Sequence, residues 1–365
     1  LGGMSLLVAE VIEPQLAKAD DITDIPGARG GANGVATSTG ERSFAIGVGA
    51  TTGTALDATA IGYQANAFGN QSIALGQLAA ASGNYSTASG YAAKAASNYS
   101  QASGFRASAV GLNSQASGTN AIAAGNSAIA IGTNASAAGN YSTATGYFAN
   151  ASGDFSQASG HKATASGKRS QASGRTATAS GTESTASGSY ANASGDYSQA
   201  SGSSANASGI ASQALGFMAT ASGYSSTASG SYANASGRFS QASGERANAS
   251  GDYSTALGYR ALASGDYSQA SGYAANASGI ASQASGYAAE AAGNQSIASG
   301  AFAKASGDYS QASGYLANAA GDESTAVGYQ SKASGEESSA FGTGSNASGD
   351  ESTACLLYTS DAADE

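Results

Sequence analysis

The residues of this chain best suited to chemistry are tyrosines, and they come in columns. Tyr63, Tyr91, Tyr147, Tyr259, Tyr273, Tyr287, Tyr315 and Tyr329 each directly follow a glycine and stand multiples of fourteen residues apart; Phe105 and Phe217 share the slot. A tyrosine ring offers flat apolar area with a polar tip, so a stripe of them can grip a sugar or a protein. The same rings stacked on one another would instead shield a turn. A second column, Tyr85, Tyr99, Tyr141, Tyr197, Tyr253, Tyr267 and Tyr309, has the same period in a different phase.

Other candidates are weaker. Gly-Asp-Tyr-Ser turns at Asp196, Asp252, Asp266 and Asp308 carry carboxylates, which suit calcium. Their spacing departs from the nonapeptide calcium repeat, so solvated acids are the simpler reading. Asn-Ala-Ser triplets at Asn134, Asn150, Asn192, Asn206, Asn234, Asn248 and Asn276 satisfy the glycosylation pattern, but the repeat generates them automatically. His161 and Cys355 are alone of their kinds, which leaves no zinc set and no disulfide framework. No serine has a histidine and carboxylate to activate it in a repeated way, and no Gly-rich phosphate loop with its lysine occurs. The chain therefore reads as non-enzymatic, without catalytic residues, metal or cofactor.

Composition narrows the partners. Fourteen Lys and Arg against 24 Asp and Glu give a net charge of −10, the opposite of what nucleic acid or an anionic membrane attracts. Of the 41% counted hydrophobic, most is alanine; there is no Trp and only nine Phe. Burial must then be thin and spread along the chain rather than gathered in one thick core.

The elements that position the tyrosine columns are set by glycine. It recurs at every seventh residue from Gly62 to Gly349, filling 41 of 42 slots with only Ser97 out of place. Two residues before each slot, from Ala60 to Ala347, stands alanine without exception. Four residues before, Ser (Ser86, Ser100, Ser114) alternates with Ala (Ala79, Ala93, Ala107), so the full unit is fourteen residues. Such a register marks a repeat protein.

Within a heptad the tiny positions share one parity and the variable polar ones the other, the signature of a strand with one face inward. Glycine every seventh residue argues against helix, and an unbroken alanine column argues against a disordered linker. The expected fold is all-β: a parallel β-roll or β-solenoid of 14-residue coils, each with two short strands and two turns. Only methyl-sized side chains would fit between its walls. Ser43 to Ala354 would supply roughly 22 coils stacked about 4.8 Å apart.

Both ends fall outside the repeat. Residues 1–19 contain an apolar run closing on Ala17-Lys-Ala19, read as a truncated secretory signal. Residues 20–42 read as an irregular lead-in. Residues 43–354 are the repeat, and 355–365 resemble the translation of a sequencing adaptor and are read as a non-native tail.

The strands Ser43-Phe-Ala-Ile-Gly47, Ser72-Ile-Ala-Leu-Gly76 and Ala128-Ile-Ala-Ile-Gly132, each followed by a second Ala-x-Ala-x-Gly strand or a close variant, resemble the head repeats of YadA-type trimeric autotransporter adhesins. The resemblance implies a left-handed β-roll and a homotrimer, anchored in the outer membrane by a region outside this sequence and displayed on a bacterial surface. It implies attachment to a host cell surface, extracellular-matrix protein or glycan, with no membrane contact by this segment. Trimer-seam candidates are the apolar residues before glycine: Ile46, Ile61, Leu75, Ile131, Leu215, Leu257, Val327 and Phe341. From Ile61 to Phe341 that slot is apolar only seven times in 21, so the seam is more polar than the family pattern. A different function also fits the residues, an ice-binding solenoid using Thr-x-Ser pairs such as Thr87/Ser89, Thr185/Ser187 and Thr227/Ser229; the resemblance itself also admits a phage tail-fibre shaft, where similar repeats occur.

Overall fold

The computed structural model describes residues 36–355. The signal segment expected at 1–19 and residues 356–365 of the expected tail lie outside them. The chain divides into two units, one ending at Ala137 and one beginning at Ala138. Among the described residues both are built from strands and turns alone.

In the first unit fifteen strands run from Thr37–Ser38 to Ser136–Ala137. Three-residue strands such as Ile73–Leu75 alternate with two-residue strands such as Ala80–Ala81. Every strand pairs in parallel with its copy one coil away, as Ile73 does with Thr87, and Ala80 with Lys94. The second unit repeats the arrangement from Thr143–Thr145 to Thr353–Cys355, with Gln199 against Gln213 and Asn192 against Asn206. Each unit is thus a parallel β-solenoid with 14-residue coils. One face is made of the longer strands and the other of the shorter ones, and the two faces are joined by two kinds of turn.

The interior is as small as the alanine columns predict. Every fully buried side chain among the described residues is Ala, Ser or Thr52. Some core serines, Ser114, Ser142 and Ser240, donate their hydroxyls to the carbonyl three residues earlier at 2.6–2.7 Å. Others at the same depth, such as Ser86 and Ser198, have no such bond. Thr52 is accommodated because its coil holds one extra residue. Phe44 pairs with Thr59, fifteen residues on, a bulge separates Thr37 from Ser38 in the neighbouring ladder, and the Thr52 hydroxyl reaches Ser38 and Ser43. Thr37–Ser38 is already a strand, so regular pairing begins inside the stretch read as an irregular lead-in.

Turn glycines serve two purposes. On the turn after the long strand, Gly76 has φ of 126°, open only to glycine, and an added Cβ would lie 2.6 Å from the Gly90 oxygen. On the other turn, Gly83 has no such φ but its Cβ would fall 2.0 Å from the Ser97 oxygen. The lone exception, Ser97, occurs on this second turn, where backbone conformation does not forbid a side chain. Its hydroxyl donates to the Val110 carbonyl.

Candidate binding surfaces

Each turn follows one template. The residue two after the glycine slot has φ near +55°, for example Gln64, Leu78 and Tyr85, and Tyr99 after Ser97, and the turn closes by a bond such as Ala65 N–H to the Gly62 carbonyl at 3.3 Å. Negative then positive φ is the sign pattern of a type II turn. A side chain in the left-handed region costs about 1–2 kcal/mol. The cost is offset because the same N–H continues the ladder, as Tyr85 N–H does to the Asn70 carbonyl at 2.8 Å. Nothing in the sequence marked these positions, since Tyr, Leu and Gln are not turn residues by propensity.

The two tyrosine columns therefore sit on opposite edges of the coil. The first column occupies the turn after the long strand, and the second occupies the left-handed position of the other turn. In the first unit Tyr91 stacks on Phe105 and Tyr85 on Tyr99, each at 5.0 Å, while the Tyr63 hydroxyl accepts from the Gln64 amide at 3.3 Å. In the second unit Tyr147 stacks on His161 at 5.3 Å and meets Phe148 edge-on. Tyr259, Tyr273 and Tyr287 form an unbroken stack with centroids 4.9 Å apart. Phe302 extends it to Tyr315 and Tyr329, one residue out of the column where Ala301 occupies the expected slot. Sequence reading missed Phe302, which lies outside the periodic column. On the opposite edge Tyr224, Phe239, Tyr253 and Tyr267 make a comparable ladder. Rings stacked this way cover one another's faces and present edges and hydroxyls outward.

Aspartates of the Gly-Asp-Tyr-Ser turns have a definite task. The side-chain oxygen of each accepts the backbone N–H of the equivalent residue one coil earlier: Asp196 from Thr182, Asp252 from Arg238, Asp308 from Asn294. Asparagine does the same at Asn84 and Asn98. A short acceptor at this slot satisfies a turn N–H that no strand reaches. Among the described residues no group of three or more His, Cys, Asp or Glu is arranged to hold a metal ion.

The Asn-Ala-Ser asparagines from Asn150 to Asn276 begin short strands and lie on that face, whereas Asn134 occupies the left-handed position of a turn after the long strand. Asn192 donates to Asn206, and Asn234 to Asn248, each at 3.0 Å.

All the seam candidates lie on the long-strand face. Ile46, Ile61 and Leu75 occupy three consecutive rungs of one column. Phe44 and Ile73, which sequence reading left aside, flank them in the neighbouring column, as Ile129 flanks Ile131. In the second unit Leu215 and Leu257 are bordered by serine rungs, while Val327 and Phe341 are adjacent. Between these patches the face shows Gln, Thr and Ser, as at Gln101/Ser103 and Gln115/Ser117.

The sequence matches the YadA head domain repeat (two copies) in successive segments between residues 54 and 261, and again over 305–331 and 333–354. The chain belongs to the YadA head-repeat family. The segment between those blocks keeps the same strand pattern, from Leu262–Ala263 to Gln283–Ser285 and beyond. No curated protein matches the chain. As YadA head repeats, the described residues form an adhesin-type surface repeat segment of a non-enzymatic family, and the tyrosine columns and the long-strand face are its two most distinctive surfaces.

Proposed function

We propose that this chain is a non-catalytic extracellular segment of a bacterial surface adhesin that attaches cells to a host surface or matrix by many weak, repeated contacts. The observation that carries the reading is the repetition of aromatic groups over successive coils of one edge, in the Tyr259–Tyr273–Tyr287–Phe302–Tyr315–Tyr329 ladder of the second unit. Contacts too weak to matter singly gain avidity when repeated on one scaffold. Because ring faces are covered by their neighbours in the Tyr259–Tyr273–Tyr287 stack and the Tyr315–Tyr329 pair, the edges and hydroxyls they present suit a protein surface better than the face of a pyranose. Matrix protein is therefore the preferred partner.

Three copies stand side by side in this reading, with the long-strand faces turned toward one another. Support comes from the Ile46–Ile61–Leu75 column, in which exposed Ile61 and Leu75 adjoin half-buried Ile46, so the apolar side chains are grouped rather than scattered. Replacing Ile61 and Leu75 with serine, the residue found on most other rungs of that column, should lower the assembled fraction in sedimentation without loss of β circular dichroism.

The decisive experiment is retention of immobilised matrix protein and of whole cells by the purified chain. A thermal-hysteresis measurement run alongside separates the ice-binding alternative. Retention without hysteresis supports the adhesin; ice shaping without retention would replace it. Alternation of Thr with long, mobile Gln on the long-strand face, as between Thr185 and Gln199, fits ordered water poorly.

A further inference from the structure

One stretch of the edge that carries the first tyrosine column is cationic. On the turns after the long strand, His161, Lys162 and Arg175 stand on two successive coils, with Tyr147 and Phe148 on the coil before and Tyr190 on the coil after. All six side chains are exposed. Between residues 138 and 244 no acid occupies this edge; the next along the second unit, Glu245, is five coils beyond Arg175, about 24 Å of stack. Asp154 and Glu183, closer in sequence, belong to the opposite edge, where Asp154 accepts the Asn140 N–H and Glu183 holds Arg169.

The backbone ladder and the rings hold these side chains in place. Lys162 N–H donates to the Tyr147 carbonyl, Thr176 N–H to the His161 carbonyl and Tyr190 N–H to the Arg175 carbonyl, each at 2.8 Å, so successive turns are fixed to one another. The His161 ring stacks on Tyr147 at 5.3 Å, and the Arg175 guanidinium lies 4.7 Å from the centroid of Tyr190, the shortest such contact among the described residues. A guanidinium seated on a ring engages it through one face and keeps its N–H donors, which lie in its plane, open to a carboxylate. Arg42 and Arg169 direct theirs to Asp57 and Glu183, whereas Lys162 and Arg175 are in no ion pair among the described residues.

We infer that this patch recognises a short acidic segment of a protein, with Lys162 and Arg175 pairing its carboxylates and the edge-on Tyr147–Phe148 pair covering an adjoining apolar side chain. The inference deepens the proposed attachment to matrix protein and rests on it. Charge selects an acidic ligand, since both cations are left unneutralised by their own chain. Length selects a protein segment over a long polyanion. The four coils span about 14 Å of stack, the reach of about four or five extended residues. A nucleic acid or sulfated polysaccharide continuing along this edge would pass beyond the screening length of about 8–10 Å onto uncharged turns, Ser203-Ser204 and Phe217-Met218. The chain as a whole, at −10, opposes it further.

The test is binding of the full chain to a labelled peptide in which glutamates flank a phenylalanine, read by fluorescence anisotropy at about 0.05 M and about 0.5 M salt. The same peptide with glutamine for glutamate is the control ligand, and heparin represents the sulfated polysaccharides. Exposed charge pairs are each worth a factor of roughly 1.5–5. Lys162→Gln and Arg175→Gln should each weaken binding of the acidic peptide at low salt by such a factor, and together by about tenfold; high salt should erase the difference. Lys168→Gln removes the same charge from the opposite edge and should leave the affinity unchanged. Undiminished affinity in the double variant, equal loss in Lys168→Gln, equal binding of the glutamine peptide or preferential capture of heparin would each overturn the patch. If the parent chain retains immobilised matrix protein but not the acidic peptide, the patch is wrong while the proposed attachment stands; a parent that retains neither overturns both. Unchanged β circular dichroism in each variant assigns any loss to the patch.

Discussion

Asp266 Oδ1 accepts the backbone N–H of Asp252, its own counterpart one coil earlier, at 2.9 Å. The bond recurs along that edge, whether the acceptor is Asp or Asn, which makes the acid's geometry more important to the fold than its charge. Asp266→Asn is expected to leave the melting midpoint within a degree or two, whereas Asp266→Ala strands a turn N–H and should cost about 0.5–1.5 kcal/mol. Thermal melts of the two variants followed by circular dichroism check the pair.

Adjacent glycines give a second contrast. Gly174 has φ of 131° and Gly167 does not lie in the left-handed region, although an added Cβ at either would crowd the next coil's backbone. Since Ser97 is carried at the Gly167 type of slot, Gly167→Ser should lower stability by about 1–2 kcal/mol, near the ordinary range for point changes. Gly174→Ser adds backbone strain of about 1–3 kcal/mol and should melt clearly lower. Equal melting points for the two would remove the distinction between the turns.

The interior offers an asymmetric pair. Ala200 is walled by Ala186 and Ala214 in its own sheet, so Ala200→Leu overpacks a slot built for a methyl and should cost about 3 kcal/mol, the upper end for overpacking. Ser198, two residues away, buries a hydroxyl without a hydrogen bond, and the same slot holds alanine at Ala128. Ser198→Ala is expected to be neutral or to raise stability by up to about 1 kcal/mol. Urea melts of both variants decide the matter, and a tolerated leucine would contradict the narrow interior.

Removing the middle ring of the long stack tests its part in attachment. Tyr273→Ala should cost about 0.5–1.5 kcal/mol of stacking and leave the turn closed by backbone. Retention of matrix protein should fall measurably in Tyr273→Ala with Tyr287→Ala, and a sugar polymer should not be captured by either form. Undiminished protein retention would confine the ladder to a structural role.

Much of this was legible from residue spacing. Parity of Ser/Ala, Ala and Gly placed the small side inward, because alternation is a geometric property of any strand, and Ala200 or Ser198 could be assigned to the interior without coordinates. The positions of Tyr63, Tyr147 or Tyr259 on one turn and Tyr85 or Tyr253 on the other followed from their phase. Three things did not follow. The turn task of Asp252 is invisible in its own heptad, since the N–H it serves belongs to a residue fourteen positions away. Left-handed backbone at Tyr85 or Leu78 is imposed by the coil's closure and overrides local preference. Phe302 entered the ladder because a ring two residues after glycine can reach where one residue after it would, a matter of side-chain reach that a column count does not see.

The equivalence of successive coils bears on how such a chain varies. Gln199 to Ser212 could be excised whole, and Ser198 would then precede Gln213, which differs from Gln199 in nothing the ladder reads. Forty-two bases gained or lost in phase would alter the stack height by about 4.8 Å and nothing else in its backbone pairing. Length is therefore the trait this architecture lets a lineage adjust most freely.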